Sequence, residues 1–80
     1  MGIAAKEKEW GDKARVFLKA ELKRAGVTYA DLAQRLNAHG FEGETQASVN
    51  SKLVRGTFAA SFLLACLAVL ELEGVRLEDL

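Results

Sequence analysis

Glycines that separate short segments, and a three- or four-residue apolar periodicity within those segments, are the features that most constrain the fold of this chain. Its 80 residues contain no proline, and Gly26, Gly40, Gly56 and Gly74 separate stretches in which apolar residues recur every three or four positions. Apolar residues at that spacing form one face of an α-helix, and glycine readily ends one. The pattern therefore predicts one domain of short helices, because a chain of this length can form one core.

The first two predicted helices each carry one apolar stripe. The first helix ends at Gly26, and its stripe comprises Trp10, Ala14, Phe17, Leu18, Leu22 and Ala25. Thr28 and Asp31 are expected to open the second helix. A threonine hydroxyl there accepts a hydrogen bond from a backbone N–H, and a carboxylate meets the positive end of the helix.

The third and fourth predicted helices differ in character. Thr45 is expected to cap a third helix in which Val49 and Leu53 share the buried face. Thr57 is expected to cap a fourth helix that runs to about Glu73. The third helix is amphipathic, whereas the fourth is apolar on every side.

The fold class predicted from these segments is all-α, with four or five helices. The fifth element is the tail "VRLEDL", in which Val75, Leu77 and Leu80 can dock on the core. Residues 1–9 carry alternating charges that add little to a core, so we expect a flexible N-terminal segment there. Residues 10–80 are expected to form a single helical domain.

The apolar fourth helix predicts self-association. A helix that is apolar all round must be enclosed, and three neighbours can hardly cover every side of it in so small a domain. We therefore expect part of it to meet a second copy of the chain. The residues expected at this homodimer interface are Phe62, Leu63, Leu67, Leu70 and Leu77.

Charge and cysteine content narrow the class of function. Eleven basic and eleven acidic residues give a net charge of zero, which disfavours a strongly electrostatic, sequence-blind nucleic-acid binder. The single cysteine, Cys66, lies in an apolar run and is expected to be a buried thiol in the cytoplasm. The longest apolar stretch, "FAASFLLACLAVL", is too short for a bilayer span, so no membrane partner is expected.

The third helix, about residues 45–55, has a polar face suited to duplex DNA. With Val49 and Leu53 inward, its other faces are small, polar and basic, without a carboxylate. Arginine or lysine can bind guanine, asparagine or glutamine can bind adenine, and serine can bind bases or phosphates. The residues expected to contact DNA are Gln46, Ser48, Asn50, Ser51, Lys52 and Arg55.

The order of the segments resembles a known family. "VTYADLAQRL", "SVNSKLVRG" and "TFAASFLLACLAVLELEGVRLEDL" are similar to lambda-repressor-like, Cro-type helix-turn-helix domains. The matching positions are Leu32, Ala33, Leu36, Arg55, Gly56, Gly74, Val75, Leu77 and Leu80. Residues 18–58 more closely resemble a bacterial domain family of unknown function, with the pattern "LK-x-E-L-K…Y-x-x-L-A…N-x-K-[IL]-x-R-G-x-F". The resemblance implies a recognition helix but no assigned activity.

The connection before the third helix departs from the helix-turn-helix pattern. The usual turn has about three or four residues, whereas "NAHGFEGET" makes this connection longer by about six. The change alters how the third helix projects. Glu42 and Glu44 near its start oppose the approach of phosphate, although a carboxylate there could instead accept a hydrogen bond from cytosine.

Other reactive side chains have structural interpretations. His39 next to a helix-ending glycine is expected to be solvated, and metal sites need further ligands at workable spacing. Trp10 and Tyr29 lie on apolar stripes and are expected in the core. No catalytic constellation, cofactor or small-molecule ligand is predicted, and the chain is not expected to be an enzyme.

Two function hypotheses follow. The first is a homodimeric bacterial transcriptional regulator that reads duplex DNA with the third helix, while Thr28 and Arg35 beside the second helix touch phosphates. The second is a helical protein–protein interaction module of the same fold without DNA affinity. The zero net charge and the long connection favour the second, and fold alone does not decide between them.

Overall fold

The computed structural model describes residues 6–80. In this range the chain forms four α-helices, Glu7–Ala25 (α1), Tyr29–Ala38 (α2), Gln46–Arg55 (α3) and Ala60–Val69 (α4), followed by a 3₁₀ turn at Leu77–Asp79. No residue of this range lies in a β-strand, and the all-α prediction is confirmed. Of the N-terminal segment predicted to be flexible, residues 1–5 lie outside the described residues, whereas residues 7–9 form the first turn of α1.

The ends of the first three helices follow the local signals in the sequence. Gly26 has φ +69° and ends α1. Its N–H donates a hydrogen bond to the Lys23 carbonyl, and the Val27 N–H donates one to the Leu22 carbonyl at 3.0 Å. This pair of bonds is the Schellman motif, which satisfies carbonyls that the helix end leaves free. Thr28 and Thr45 cap α2 and α3 as predicted, each in a reciprocal capping box.

Helix α4 is shorter than the sequence predicts. Its N-cap is Ala59, so no side-chain hydroxyl caps it. The helix ends after Val69, where Glu71 adopts a left-handed φ of 60° and the Leu72 N–H donates to the Leu67 carbonyl at 2.8 Å. The prediction that Thr57 caps this helix and that it runs to about Glu73 was wrong, because glutamate seldom fills a helix-ending position that glycine favours.

The core lies where all four helices meet. Its fully buried members are apolar side chains on the inner face of each helix: Leu18, Leu22, Leu32, Leu36, Val49, Leu53, Phe62 and Cys66. Helix α2 packs against α3 and α4, and α1 packs against α3. Helix α3 is therefore held by neighbours on its inner side while its opposite side faces solvent.

No single helix among residues 6–80 is long and apolar enough to cross a membrane. Helices α3 and α4 together reach the required length and composition, but the chain bends by 120° between them.

Candidate nucleic-acid interface

Helix α3 is fixed at both ends by short-range hydrogen bonds. The Thr45 hydroxyl accepts from the Ser48 N–H at 3.1 Å, and the Ser48 hydroxyl accepts from the Thr45 N–H at 2.9 Å. At the other end Gly56 adopts φ +68° and its N–H donates to the Lys52 carbonyl. Val49 and Leu53 are completely buried, so the rotation of α3 about its axis is set.

The solvent side of α3 spans the helix from its first residue to its last. Its exposed residues are Gln46, Ala47, Asn50, Ser51, Val54 and Arg55, and none is a carboxylate. Four of these belong to the predicted DNA-contact set. Ala47 and Val54, which is 61% exposed, complete this face; neither belongs to the predicted contact set, because that set contains only polar side chains.

The other two predicted contacts of α3 are turned toward the protein. Ser48 and Lys52 are half-buried, and both donate to the carboxylate of Glu44, with Ser48 Oγ 2.6 Å from Glu44 Oε1. The Lys52 ammonium also lies 4.8 Å from the ring centroid of Phe62, a cation–π contact. Glu44 is the one buried charged residue of the described chain, at 8% exposure.

Hydrogen bonds keep this buried carboxylate ionised. Burial by itself would raise the pKa of Glu44, but hydrogen bonds from Lys52 and Ser48, together with the charge of Lys52, hold that pKa below its ordinary value. The lowered pKa follows from a general rule: groups that donate hydrogen bonds to a carboxylate stabilise its charged form. A buried carboxylate is tolerated here because both of its oxygens have donors.

The long connection between α2 and α3 is an ordered structure. The Asn37 side-chain amide donates to the Glu44 carbonyl and its oxygen accepts from the Glu44 N–H, both at 2.9 Å. The Phe41 N–H donates to the Leu36 carbonyl at 2.9 Å, and the Phe41 ring meets Phe62 edge-on. These contacts fix the start of α3 relative to the end of α2.

Helix α1 supports the far end of α3 through two glycines. A Cβ built on Gly11 would lie 2.5 Å from the Gly56 carbonyl oxygen, and a Cβ on Gly56 would lie 3.0 Å from the Gly11 oxygen. The backbones therefore touch without an intervening side chain. Beside this contact, Lys8, Arg55 and Thr57 line a shallow groove of about 300 Å³.

The two predicted phosphate contacts beside α2 make structural hydrogen bonds. The Thr28 hydroxyl accepts from the Asp31 N–H at 3.1 Å. Arg35 Nη1 donates to the Val69 carbonyl at 3.2 Å, which caps the end of α4. Both residues are exposed, but they do not line the solvent side of α3 described above.

The predicted homodimer residues divide into two groups. Phe62 and Leu67 are 2% and 8% exposed and lie in the core rather than on the surface. Phe62 is enclosed because Phe41, Phe58 and Lys52 cover it. The remaining residues are accessible: Leu63 and Leu70 are half-buried and Leu77 is exposed, as is Leu64, which the prediction omitted.

The side chains considered for other chemistry are explained by their surroundings. Burial raises the pKa of Cys66 to about 12, with the Glu44 carboxylate acting in the same direction, so the thiol stays protonated and unreactive. Exposed His39 donates from Nδ1 to the Arg35 carbonyl at 2.8 Å, near the end of α2. Within residues 6–80, no group of three His, Cys, Asp or Glu side chains could hold a metal ion.

A larger groove lies away from α3. It has a volume of about 850 Å³ and runs between α1 and the C-terminal tail, with Val16, Phe17, Arg24 and Leu80 among its lining residues. Its charged residues have partners: Arg24 pairs with Glu21, Asp12 with Lys8 and Arg15, and Arg76 with Glu78, while Lys13 donates to the Leu80 carbonyl.

Comparison with known proteins supplies the last observation. A family model with the description "Domain of unknown function" matches residues 10–75. No curated protein and no solved structure matches the chain. The matched range contains α2, the ordered connection, α3 and α4 in full, so the surface described above is a property of the matched region.

Proposed function

This chain belongs to the DUF6471 family, and we propose that it is a helix-turn-helix module that binds duplex DNA with α3. The proposal includes the finer fold assignment, a lambda-repressor-like arrangement in which α2 and α3 are the two helices of the motif. It also includes a homodimer as the binding unit of a transcriptional regulator.

One observation carries the DNA-binding proposal: the solvent side of α3 is exposed along its whole length and contains no carboxylate. The major groove is about 12 Å wide and admits an α-helix. Ala47 and Val54 lie at the middle of the exposed face, so small or apolar groups face the groove where the backbone must approach most closely. Val54 is suited to contact a thymine methyl group.

The polar residues flank this apolar centre. Gln46 and Asn50 lie on one side and can donate to and accept from adenine, whereas Ser51 and Arg55 lie on the other side and can bind guanine or phosphate. Arg55 makes no ion pair among the described residues. Its guanidinium is therefore available for a nucleic-acid contact without first leaving a partner.

Salt-dependent DNA binding tests this proposal. The assay is fluorescence anisotropy of a labelled random duplex of about 20 base pairs, titrated with the protein at 50 and at 200 mM salt. A homodimer with one or two phosphate contacts per protomer predicts a fall in affinity of roughly 10- to 150-fold between these conditions. The absence of binding at 50 mM salt would refute it.

A pair of arginine variants localises the contact. Arg55→Ala is expected to weaken binding to the random duplex and to reduce the salt slope by about 0.9 per protomer, the value of one phosphate contact. Arg24→Ala makes the same charge change on α1, in the groove beside the C-terminal tail, and is expected to leave the affinity unchanged. Equal effects of the two variants would show a general charge effect instead of a contact by α3.

The accessible apolar residues of α4 and the tail support the homodimer. Leu64 is 64% exposed, and Leu63, Leu70 and Leu77 complete an accessible apolar set. Two such copies would place their α3 helices about one turn of DNA apart, roughly 34 Å. Sedimentation velocity should give a dimer for the wild type and a monomer for Leu64→Glu, with Val16→Glu on α1 as the matched control.

A protein-interaction module is the second candidate. It is favoured by the zero net charge of the chain, because nucleic-acid binders are normally basic, and Val54 at the centre of the exposed face of α3 would then meet the partner protein. This candidate predicts no binding to duplex DNA at low salt, together with loss of a protein partner in Val54→Asp. The anisotropy titration therefore separates the two candidates directly.

A further inference from the structure

The buried carboxylate of Glu44 bears on the regulation of the proposed DNA site. We propose that Glu44 is an internal competitor for DNA phosphate: in the free protein it holds the donors Ser48 and Lys52, and DNA affinity stays low until this contact opens. The inference rests on the proposed function and adds a regulatory contact to it. It concerns the edge of α3 that also carries Arg55, because Ser48 and Lys52 lie seven and three residues before Arg55 and share its side of the helix.

The donors that Glu44 holds are the ones a phosphate would need. A carboxylate and a phosphate oxygen both accept from ammonium and hydroxyl groups, so one set of donors cannot serve both fully. Ser48 Oγ lies 2.6 Å from Glu44 Oε1, and Lys52 Nζ donates to Glu44 Oε2. DNA can use these groups only if the carboxylate releases them.

Packing holds the competing contact in place. The Lys52 side chain is 29% exposed and that of Glu44 is 7% exposed. Salt therefore weakens the attraction between them less than it would weaken that of a fully exposed pair. The ring of Phe62 lies beneath the ammonium at 4.8 Å. A freely solvated lysine would instead be available to any phosphate that approached α3.

The connection between α2 and α3 positions the carboxylate. Asn37 holds both the N–H and the carbonyl of Glu44 at 2.9 Å, which fixes the backbone from which the side chain reaches α3. Glu42, on the same connection, is exposed and makes no ion pair among the described residues. It therefore offers a matched control for the loss of one negative charge.

Competition predicts that removal of the carboxylate increases DNA affinity. Glu44→Gln should bind the random duplex about tenfold more tightly at 50 mM salt and should steepen the slope of log K against log salt by about 0.9 for each protomer on the duplex, the value of one additional phosphate contact. Adding Lys52→Gln should abolish both gains. Glu42→Gln should show a smaller gain in affinity, from the loss of one negative charge, and no steeper slope, since it releases no donor.

The outcomes distinguish this inference from the proposed function. Wild-type binding with no gain in Glu44→Gln overturns the inference alone, and so does a gain that persists when Lys52→Gln is added. An equal gain in Glu42→Gln overturns it as well, because the effect would then be one of net charge. If neither the wild type nor Glu44→Gln binds duplex DNA, the proposed function fails and the inference fails with it.

A second measurement tests the contact without DNA and without a variant that could fail to fold. Reductive methylation of the wild type, followed by peptide mass spectrometry, should modify Lys52 at least several-fold more slowly than exposed Lys19. Equal rates would overturn the inference, because Lys52 would then already be free. In Glu44→Gln, checked for helicity by circular dichroism, the rate at Lys52 should rise toward that of Lys19.

Discussion

The contact between Gly11 and Gly56 gives a prediction in which two effects have opposite signs. Gly11 lies inside α1, where alanine is favoured over glycine by about 1 kcal/mol in intrinsic helix propensity. The added Cβ would lie 2.5 Å from the Gly56 carbonyl oxygen and 3.4 Å from its carbonyl carbon. Propensity predicts that Gly11→Ala stabilises the protein, and packing predicts the reverse.

Packing should be the larger effect because both partners are backbone atoms. No side-chain rotation can relieve the overlap, so α1 and the end of α3 must move apart. Gly56 cannot easily move, since its φ of +68° and its hydrogen bond to Lys52 form the end of α3. Overpacking of this kind costs about 1–3 kcal/mol. Less the propensity gain of about 1 kcal/mol, Gly11→Ala should lose about 0–2 kcal/mol in the free energy of unfolding.

Chemical and thermal denaturation followed by circular dichroism measures this loss. For a domain of this size, about 1 kcal/mol corresponds to a shift of roughly 4–8 °C in Tm. Ala20→Gly, at an exposed position of the same helix, measures propensity alone and should cost about 1 kcal/mol. A gain in Gly11→Ala equal to the Ala20→Gly loss would refute the close backbone contact between α1 and α3.

Three further predictions follow from single residues. Glu71→Gly should stabilise the fold by about 0.5–1 kcal/mol in urea denaturation, since it relieves a left-handed φ of 60°; an unchanged or lower midpoint would contradict that geometry. Because the folded-state pKa of Glu44 lies below its ordinary value of 4.5, its contribution to stability is present above that value and lost as pH falls through the folded-state pKa. The unfolding free energy should therefore fall more steeply on acidification in the wild type than in Glu44→Gln, and parallel pH profiles would contradict this. Burial raises the pKa of Cys66 to about 12, so Ellman's reagent at pH 8 should label it only at the rate at which the protein opens, and labelling as fast as in urea would place the thiol on the surface.

Much of the fold was predictable because its signals are local. Thr28 and Thr45 cap helices through bonds that span three residues, and Gly26 ends α1 through its own backbone conformation. Such features depend on neighbours in the sequence and can be read from it directly. The end of α4 was mispredicted because Glu71 fills a left-handed position by virtue of its surroundings and not of its residue type.

The candidate site was predictable only in part, because one of its partners lies outside the helix. Periodicity correctly placed Val49 and Leu53 inward and Ser51 and Arg55 outward, but it also placed Ser48 outward, whereas Ser48 is half-buried. It could not show that the Glu44 side chain reaches Ser48 and Lys52 on α3. That contact depends on the hydrogen bonds between the Asn37 side chain and the Glu44 backbone. A helical wheel of α3 contains only the residues of that helix, so it cannot show a contact from a side chain on the preceding connection.

The zero net charge of the chain is compatible with DNA binding because two carboxylates close to α3 are paired with basic side chains. Asp12 accepts from Lys8 and Arg15, and these hydrogen bonds hold its pKa below the ordinary value. Glu44 is likewise paired, with Lys52. Attraction to DNA depends on the local potential and not on the sum, and on α3 that potential comes from Arg55.

Arg55 is the only basic residue on the exposed face of α3, so one copy of the proposed DNA-binding module would have limited affinity for DNA. Each phosphate contact contributes about 0.9 to the salt slope, so a protomer with one or two contacts would bind weakly at physiological salt. Two routes to tighter binding remain within this fold: a second copy, which doubles the contacts on one duplex, and the release of Lys52 from Glu44, which adds one per copy. The two effects multiply in the binding constant, so a Glu44→Gln homodimer should gain about twice the slope increment of a Glu44→Gln monomer.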